Sequence, residues 1–223
     1  MADNASAIAE FFARAFPDDE LATIRADFCL RGQLRTFRAR SILAFEGDDG
    51  TGLALVVTGS VVSLATCPQR GREVVVSAAR PGMFLHDFAW HDVGSLPLTL
   101  RAATATSLFT VDRTTYAGAL RKNATFRSHA LAIESTAQRA LVERVRQLAF
   151  YDVRTRIARL LVSADARGES VETRSLAAAI GTVHDVAWRI LREFQDEGVV
   201  TLRERSAHVT DRQTLSLVGR LAG

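Results

Sequence analysis

The sequence contains almost no lysine. Of its 28 basic residues only Lys122 is a lysine, and the other 27 are arginines. Because there are 25 acidic residues, the formal net charge is only +3, and charge alone does not identify a nucleic-acid partner. Cys29 and Cys67 are too few for a disulfide scaffold, a four-cysteine zinc site or an iron–sulfur cluster. We expect both to be buried free thiols in a reduced, cytoplasmic protein.

Long apolar runs and common catalytic motifs are also missing. No run approaches the ~18 apolar residues of a membrane span, so we expect no membrane partner. The first residues carry no basic stretch, and we expect no signal peptide. The chain has no G-x-S-x-G, P-loop, G-x-G-x-x-G or C-x-x-C motif. These absences predict that the protein is not an enzyme and holds no resident metal.

The residues that are present predict an α+β protein in four parts. The composition, 48% hydrophobic and 24% charged, is that of a soluble globular chain. Residues 1–28 have helical periodicity that is interrupted at Pro17. Residues 29–123 contain short segments rich in Val, Leu, Phe and Thr, one of them over 98–105, separated by Gly and Asp turns, which predicts an antiparallel sandwich or barrel. Residues 124–150 form one long helix, and 151–223 form a helical module with a β-hairpin.

The long helix has two stripes at helical spacing, the first partly polar and the second more apolar. The residues of the first stripe are spaced 4-3-4-3-4, as in a coiled coil, and are Leu131, Ser135, Gln138, Val142, Val145 and Ala149. The second stripe consists of Ile133, Ala137, Leu141, Val145 and Leu148. One stripe can pack on the β-domain and the other on a second copy of the chain, but the spacing does not decide which. A long core helix without a partner is the alternative.

The C-terminal module has the pattern of a winged helix-turn-helix. Asp152 and Thr173 can cap helices, Gly181 supplies a tight turn, and Gly198 ends the helix that follows. Residues 199–210 form the hairpin that would serve as the wing. In this arrangement the second helix presents four side chains to the major groove, namely His184, Asp185, Trp188 and Arg189. A helical hairpin without a DNA role is the alternative.

At this point the chain resembles a known family, the Crp–Fnr superfamily of bacterial transcription regulators. The order of a β-roll, a long helix and a winged helix-turn-helix matches that family over roughly residues 10–212. The segments that carry the resemblance are Phe45–Asp48, Val56–Val61, Pro81–Leu85, Leu148–Ile157 and Val186–Leu191. The resemblance implies a jelly-roll-like β-domain of the cyclic-nucleotide-binding type. It also implies a cytoplasmic homodimer that binds double-stranded DNA at an inverted repeat, with RNA polymerase as a further partner.

The resemblance also implies roles for residues of the helix-turn-helix. Arg189 matches an arginine that pairs with guanine, and Asp185 matches a glutamate that accepts from cytosine. His184 matches a variable position, while Trp188 replaces a small residue. Phosphate contacts are implied at Thr173, Arg174 and Thr182. The alternative for Asp185 is an ordinary carboxylate in the first turn of a helix, where the helix dipole favours a negative charge. On the long helix, the implied dimer interface consists of Leu131, Gln138, Val142, Val145 and Ala149.

The predicted effector pocket departs from the family pattern. Cyclic-AMP-binding members have a Gly-Glu-Leu phrase where this chain has His86-Asp87-Phe88, and an Arg-Ser pair where it has Leu96-Pro97. Leucine and proline cannot replace a charged phosphate clamp. We therefore expect that cyclic AMP does not control this protein. The pattern of His86 and His91 leaves haem or another small ligand as an alternative, although surface histidines are the simpler interpretation.

Overall fold

The computed structural model describes residues 2–49, 52–67, 69, 71–85 and 95–220. Their backbone contacts divide the chain into two compact units. One unit comprises Met1–Leu64 with Ser77–Leu141, and the other comprises Ala65–Val76 with Val142–Gly223. The long helix and one β-hairpin each contribute residues to both units.

Helices at the start of the first unit follow the predicted periodicity. Helix α1 spans Ala2–Ala15, a single 3-10 turn spans Asp19–Leu21, and α2 spans Ala22–Arg31. The predicted interruption at Pro17 is confirmed. The backbone turns there, and the Arg25 guanidinium holds it by donating to the Phe16 carbonyl at 2.6 Å and the Asp18 carbonyl at 2.8 Å.

Among the described residues, eight strands form the β-domain. They are β1 (Gln33–Phe37), β2 (Ile42–Ala44), β3 (Gly52–Thr58), β4 (Val61–Cys67), β5 (Arg72–Ala79), β6 (Phe84–Leu85), β7 (Thr99–Ala102) and β8 (Thr106–Asp112). They make two four-stranded sheets, with the orders β1-β8-β3-β6 and β2-β7-β4-β5. The pairings with a determined register are antiparallel, for example Leu53 opposite Val111 and Val62 opposite Arg101. The predicted antiparallel roll is therefore confirmed.

Aromatic side chains fill the core between the N-terminal helices and the roll. Phe12, Phe16, Phe28 and Phe126 are all buried, and the rings of Phe16 and Phe126 lie 4.9 Å apart. Helix α3 (Arg113–Lys122) adds the buried ring of Tyr116 to the same cluster. Burial of several aromatic rings of this size is a large hydrophobic contribution, since each removes roughly 150–250 Å² from water.

The long helix, α4, spans Ala124–Phe150, which are the bounds that the sequence predicted. Its two stripes have different surroundings in the structure. Ile133 of the second stripe packs against the aromatic core. The first stripe faces solvent: Leu131 and Val142 are 63% and 60% exposed, and Val145, which belongs to both stripes, is 63% exposed. The second stripe therefore packs on the protein's own core at Ile133, whereas its C-terminal members Val145 and Leu148 are exposed, and the first stripe is left uncovered in the single chain.

The second unit contains the predicted winged helical module. Its elements are α5 (Val153–Asp165), β9 (Val171–Glu172), α6 (Thr173–Ile180), α7 (His184–Asp196), β10 (Val200–Arg203), β11 (Ser206–Val209) and α8 (Arg212–Arg220). Strands β10, β11 and β9 form a small antiparallel sheet in that order. Phe194, Leu161, Leu176 and Leu215 are buried together at the centre of the module. Helix α8 was not predicted from the sequence.

Three local predictions were wrong. Glu172, not Thr173, is the residue before α6, and the Thr173 hydroxyl instead donates to the Arg205 carbonyl at 2.9 Å. Cys29 is exposed and Cys67 is only half-buried, so neither is the buried thiol that was expected. The strand predicted over 98–105 is shorter, since β7 ends at Ala102.

The described residues lack two kinds of feature. None of their helices is both long enough and apolar enough to cross a membrane. No group of three or more histidine, cysteine, aspartate or glutamate side chains in the described ranges is arranged to hold a metal ion.

Candidate nucleic-acid interface

Helices α6 and α7 are joined by a tight turn at Gly181. This glycine has φ +74°, a left-handed conformation that costs other residues energy. The Thr182 N–H donates to the Ala177 carbonyl at 2.9 Å and closes the turn. Leu176 and Ile190 are buried where the two helices meet. The predicted helix-turn-helix geometry is confirmed at each of these points.

Two arginines hold the turn from the other side. Arg156 on α5 donates to the Ile180 carbonyl at 2.5 Å, and Arg72 at the start of β5 donates to the Gly181 carbonyl. These carbonyls lie at the C-terminal end of α6, where backbone acceptors lack partners within the helix. The arginines are 24 and 109 residues away in the sequence, so no local signal could have predicted them.

A third arginine, Arg144 on α4, completes a positively charged cluster behind the turn. Burial lowers the pKa of Arg144, and the nearby Arg156 lowers it further. Burial also lowers the pKa of Arg156, with a second contribution from Arg72 and an opposing one from the Asp152 carboxylate. Within the described residues, Arg72 Nε and Arg144 Nε and Nη2 are buried without a hydrogen-bond partner. The turn between α6 and α7 is therefore supported by groups that also repel one another.

Helix α5 is fixed at its N-terminus and against α7. The Asp152 carboxylate accepts from the Thr155 N–H at 2.7 Å, as predicted for a cap, and this bond is the main reason that the pKa of Asp152 is lowered. Arg154 donates to Glu193 at 3.1 Å and to both Glu197 oxygens at 2.6 and 2.7 Å. Its guanidinium also lies 4.4 Å from the centre of the Phe194 ring. These contacts fix the position of α7.

The wing is the hairpin of β10 and β11, and a two-residue β-turn joins its strands. Glu204 and Arg205 have φ +49° and +68°, as a type I′ turn requires at both central positions. The Arg205 carbonyl accepts from both the N–H and the hydroxyl of Thr173. The wing is thus tied to the start of α6, and the predicted hairpin is confirmed.

The outer face of α7 carries the four predicted base-contacting residues. His184, Asp185, Trp188 and Arg189 are all exposed, while Ala187, on the opposite side of the helix, is buried. His184 Nδ1 lies 3.6 Å from an Asp185 carboxylate oxygen. Arg189 has no hydrogen bond or ion pair with any described residue, so its guanidinium is available to an external acceptor.

A fifth residue on this face, Arg192, was missed. It is exposed and lies one helical turn beyond Trp188, with its guanidinium carbon 5.3 Å from the centre of the indole ring. The spacing of four residues from Trp188 and eight from His184 could have identified it from the sequence.

The three residues assigned to phosphate contacts differ in their surroundings. Arg174, in the first turn of α6, is exposed, and no described residue pairs with it. Thr173 and Thr182 are half-buried, and the Thr173 hydroxyl is already bonded to the wing. Arg174 is therefore the one of the three whose side chain can most readily reach a phosphate.

Of the residues assigned to the effector pocket, the structure describes Leu96 and Pro97. His86, Asp87, Phe88 and His91 lie outside the described residues. Leu96 is buried in an apolar cluster of the β-roll, and its N–H donates to the Asp48 carbonyl at 2.7 Å. Pro97 is exposed.

Solved structures share this architecture, although the chain matches no protein-family model and no curated protein in sequence. A crp/fnr-family chain from Eubacterium rectale aligns with a TM-score of 0.77 at 19% identity, covering 89% of this chain and 94% of the other. A CRP/FNR-family transcriptional regulator from Thermus thermophilus gives 0.73 at 18%, covering 86% and 100%. The c-di-GMP responsive regulator CLP from Xanthomonas campestris gives 0.72 at 21%, covering 85% and 99%.

The chain shares its fold with these solved structures. The chain combines a β-roll, a long helix and a winged helix-turn-helix. That combination is the fold of the Crp/Fnr transcriptional regulators to which it is structurally similar.

Proposed function

We propose that the protein is a sequence-specific DNA-binding transcriptional regulator that acts as a homodimer on an inverted repeat, with RNA polymerase as a further partner. The observation that carries this proposal is the outer face of α7. It presents an imidazole, a carboxylate, an indole and two guanidinium groups on a helix whose inner face is buried. A rigid helix with this mixture of donors and acceptors suits the edges of base pairs in the major groove.

The uncovered stripe of α4 supports the homodimer. Leu131, Val142 and Val145 are more than half exposed, and Gln138 and Ala149 are exposed beside them. Exposed leucine and valine side chains aligned on one side of a helix are typical of an interaction site, even with polar residues between them. A second α4 packed on this stripe would relate the two recognition helices by a two-fold axis. Inverted-repeat half-sites about one DNA turn apart, ~34 Å, would then match them.

We further propose that cyclic AMP does not regulate the protein. Leu96 stands where the family's phosphate clamp has its arginine, and its side chain is part of the apolar core of the roll. A buried leucine offers no charge-assisted hydrogen bond to a cyclic phosphate. The adjacent Pro97 has neither a hydroxyl nor a backbone N–H to replace the serine of that clamp.

Selection of DNA from a random pool tests the main proposal. The full-length protein should enrich an inverted repeat, with half-sites that contain a TGA-like step. Affinity for the selected duplex should exceed that for a shuffled duplex by at least about a thousandfold at physiological salt. Enrichment of no sequence, or equal affinity for both duplexes, would refute the proposal.

Calorimetry tests the effector proposal separately. Cyclic AMP should give no binding at micromolar concentration and no change in affinity for the selected duplex. Because the Xanthomonas regulator is described as c-di-GMP responsive, c-di-GMP is included as a second titrant. Micromolar binding of cyclic AMP that also tightens DNA binding would show that the loss of the clamp is compensated elsewhere.

A further inference from the structure

An aromatic side chain lies at the centre of the outer face of α7. His184, Trp188 and Arg192 follow one another at intervals of four residues, so they form one column along the helix. The His184 and Trp188 rings are nearly parallel, with an interplanar angle of 12° and centres 6.4 Å apart. The guanidinium carbon of Arg192 lies over the indole ring, 5.3 Å from its centre. The indole is thus held between two neighbours of its own helix.

Trp188 is not needed to build the hydrophobic core of the module. The inner face of α7 is supplied by Ala187, Ile190, Leu191 and Phe194, all of which are buried. Trp188 is instead 37% exposed, on a face whose other members are polar or charged. A large aromatic ring that is ordered by its neighbours loses little conformational entropy when a partner covers it. This placement indicates a contact surface rather than a structural role.

The chemistry of the major groove limits what such a surface can recognise. Guanine, adenine and cytosine present hydrogen-bond donors and acceptors there, and thymine alone adds an apolar group, its C5 methyl. The indole has a single donor, and the rest of its exposed surface is apolar. Asp185 and Arg189 already provide the hydrogen-bonding groups on either side of it.

We propose that Trp188 recognises the C5 methyl group of a thymine in each half-site, and that His184 and Arg192 hold its ring in position to do so. This inference rests on the proposed function, because it requires the outer face of α7 to enter the major groove. According to this proposal, Trp188 gives the protein a preference for thymine at one position of each half-site. That preference depends on a single methyl group.

Replacement of thymine by uracil tests the proposal, because it removes the methyl group and leaves the base-pairing edge unchanged. In the selected duplex, each symmetric pair of thymines is replaced in turn by deoxyuridine, and binding is measured with the full-length protein. Burial of one methyl corresponds to about fourfold in affinity for each half-site. One pair of replacements should therefore weaken binding by roughly fifteenfold, and replacements outside the half-sites should have no effect.

Variants identify the side chain that is responsible. In Trp188→Ala the thymine-to-uracil ratio should fall to about one, whereas Trp188→Phe should keep part of it. Arg192→Gln should reduce the ratio, because the indole loses one of its two neighbours. Val183→Ala is the matched control, since Val183 is also apolar and is 49% exposed at the start of the same helix. It should keep the wild-type ratio.

The outcomes separate this inference from the proposed function. If the wild type selects no DNA sequence, the proposed function fails. If it selects a site that binds equally well with uracil at every position, the function stands and the role of Trp188 is wrong. The role is also wrong if the thymine preference survives in Trp188→Ala, or is lost in Val183→Ala instead.

Discussion

The outer faces of α7 and α4 are both exposed, but their chemistry is opposite. The α7 face carries charged and hydrogen-bonding groups around one indole, and the α4 stripe carries leucine, valine and alanine with two neutral polar residues. Exposure alone would not distinguish them. The first matches polar base edges and phosphates, whereas the second matches another apolar surface. The two surfaces therefore differ in the kind of partner that each would fit.

The two faces also differ in how their orientation is fixed. Helix α7 is held within its own module by a buried inner face and by Arg154, which bonds to Glu193 and Glu197. At its N-terminal half, α4 is held through Phe126 and Ile133, which pack in the aromatic core. The following predictions test whether each face acts as its chemistry indicates.

The largest effect is expected at the polar face. Arg189→Ala should weaken binding to the selected inverted repeat by roughly 2–6 kcal/mol, because a bidentate guanine contact is lost in each half-site. Binding to random DNA should change much less. Competition titrations with the two duplexes measure the ratio directly.

Arg174→Ala is the matched comparison on the same surface. It should weaken binding to both duplexes about equally and lower the salt slope by about one per subunit, as expected for loss of a phosphate contact. If Arg189→Ala keeps the wild-type ratio of affinity for the selected duplex to affinity for random DNA, α7 is not placed in the groove as proposed.

The apolar face is tested with Val145→Asp. A charge at this position in a helix–helix contact would be buried without a partner, and we expect the dimer to weaken by about 3–5 kcal/mol. Sedimentation velocity should show a dimer for the wild type and a monomer for the variant at micromolar concentration.

Ala140→Asp is the control for Val145→Asp. Ala140 is exposed on the same helix but points away from the uncovered stripe. The same charge there should leave the dimer intact. A monomeric wild type, or equal dissociation of both variants, would mean that the stripe is not a dimer interface.

The turn that positions the polar face is tested with Gly181→Ala. A left-handed φ costs an L-residue about 1–2 kcal/mol, and the new Cβ would lie 2.7 Å from Leu148 Cδ2. Gly168→Ala is the control, because Gly168 has φ +70° and no heavy atom within 4 Å of its added Cβ. Urea unfolding should show a larger loss of stability for Gly181→Ala, and equal losses would show that Leu148 moves aside without cost.

The smallest effect is expected at the cap of α5. Asp152→Ala should destabilise the protein by about 1 kcal/mol. Because the pKa of Asp152 is lowered below its ordinary value of 3.8, its contribution is complete above that pH and is lost as the pH falls through the lower folded value. Asp152→Asn keeps an acceptor that does not titrate, so acid unfolding should show a shallower loss of stability below about pH 4. If the stability of the wild type and of Asp152→Asn falls equally steeply with pH, the Asp152 carboxylate does not contribute this pH dependence.

Local signals in the sequence predicted the helical parts of the molecule well. The bounds of α4 follow from the absence of glycine and proline, and the Asp152 cap, the Gly181 turn and the wing are all set by residues close in sequence. The exposed residues of α7 follow from helical spacing against a buried face. Arg192 could have been included by the same argument.

Features that depend on distant contacts were not predictable in this way. The Thr173 hydroxyl is taken by the Arg205 carbonyl, so Thr173 does not cap α6. Strand β1 was missed because its sequence, with Arg35 at its centre, is polar and largely exposed. The choice between the two stripes of α4 needed the position of the aromatic core, which spacing within one helix does not contain.

The arginines behind the helix-turn-helix have a consequence for dissecting the protein. A C-terminal fragment that begins at Val153 would include the whole winged helix but would lack both Arg72 and the Asp152 cap. The Gly181 carbonyl would lose its donor, and Leu148, which packs close to that glycine, would also be missing. The limits of an autonomously folding fragment are therefore set by these long-range contacts and not by the ends of the winged helix.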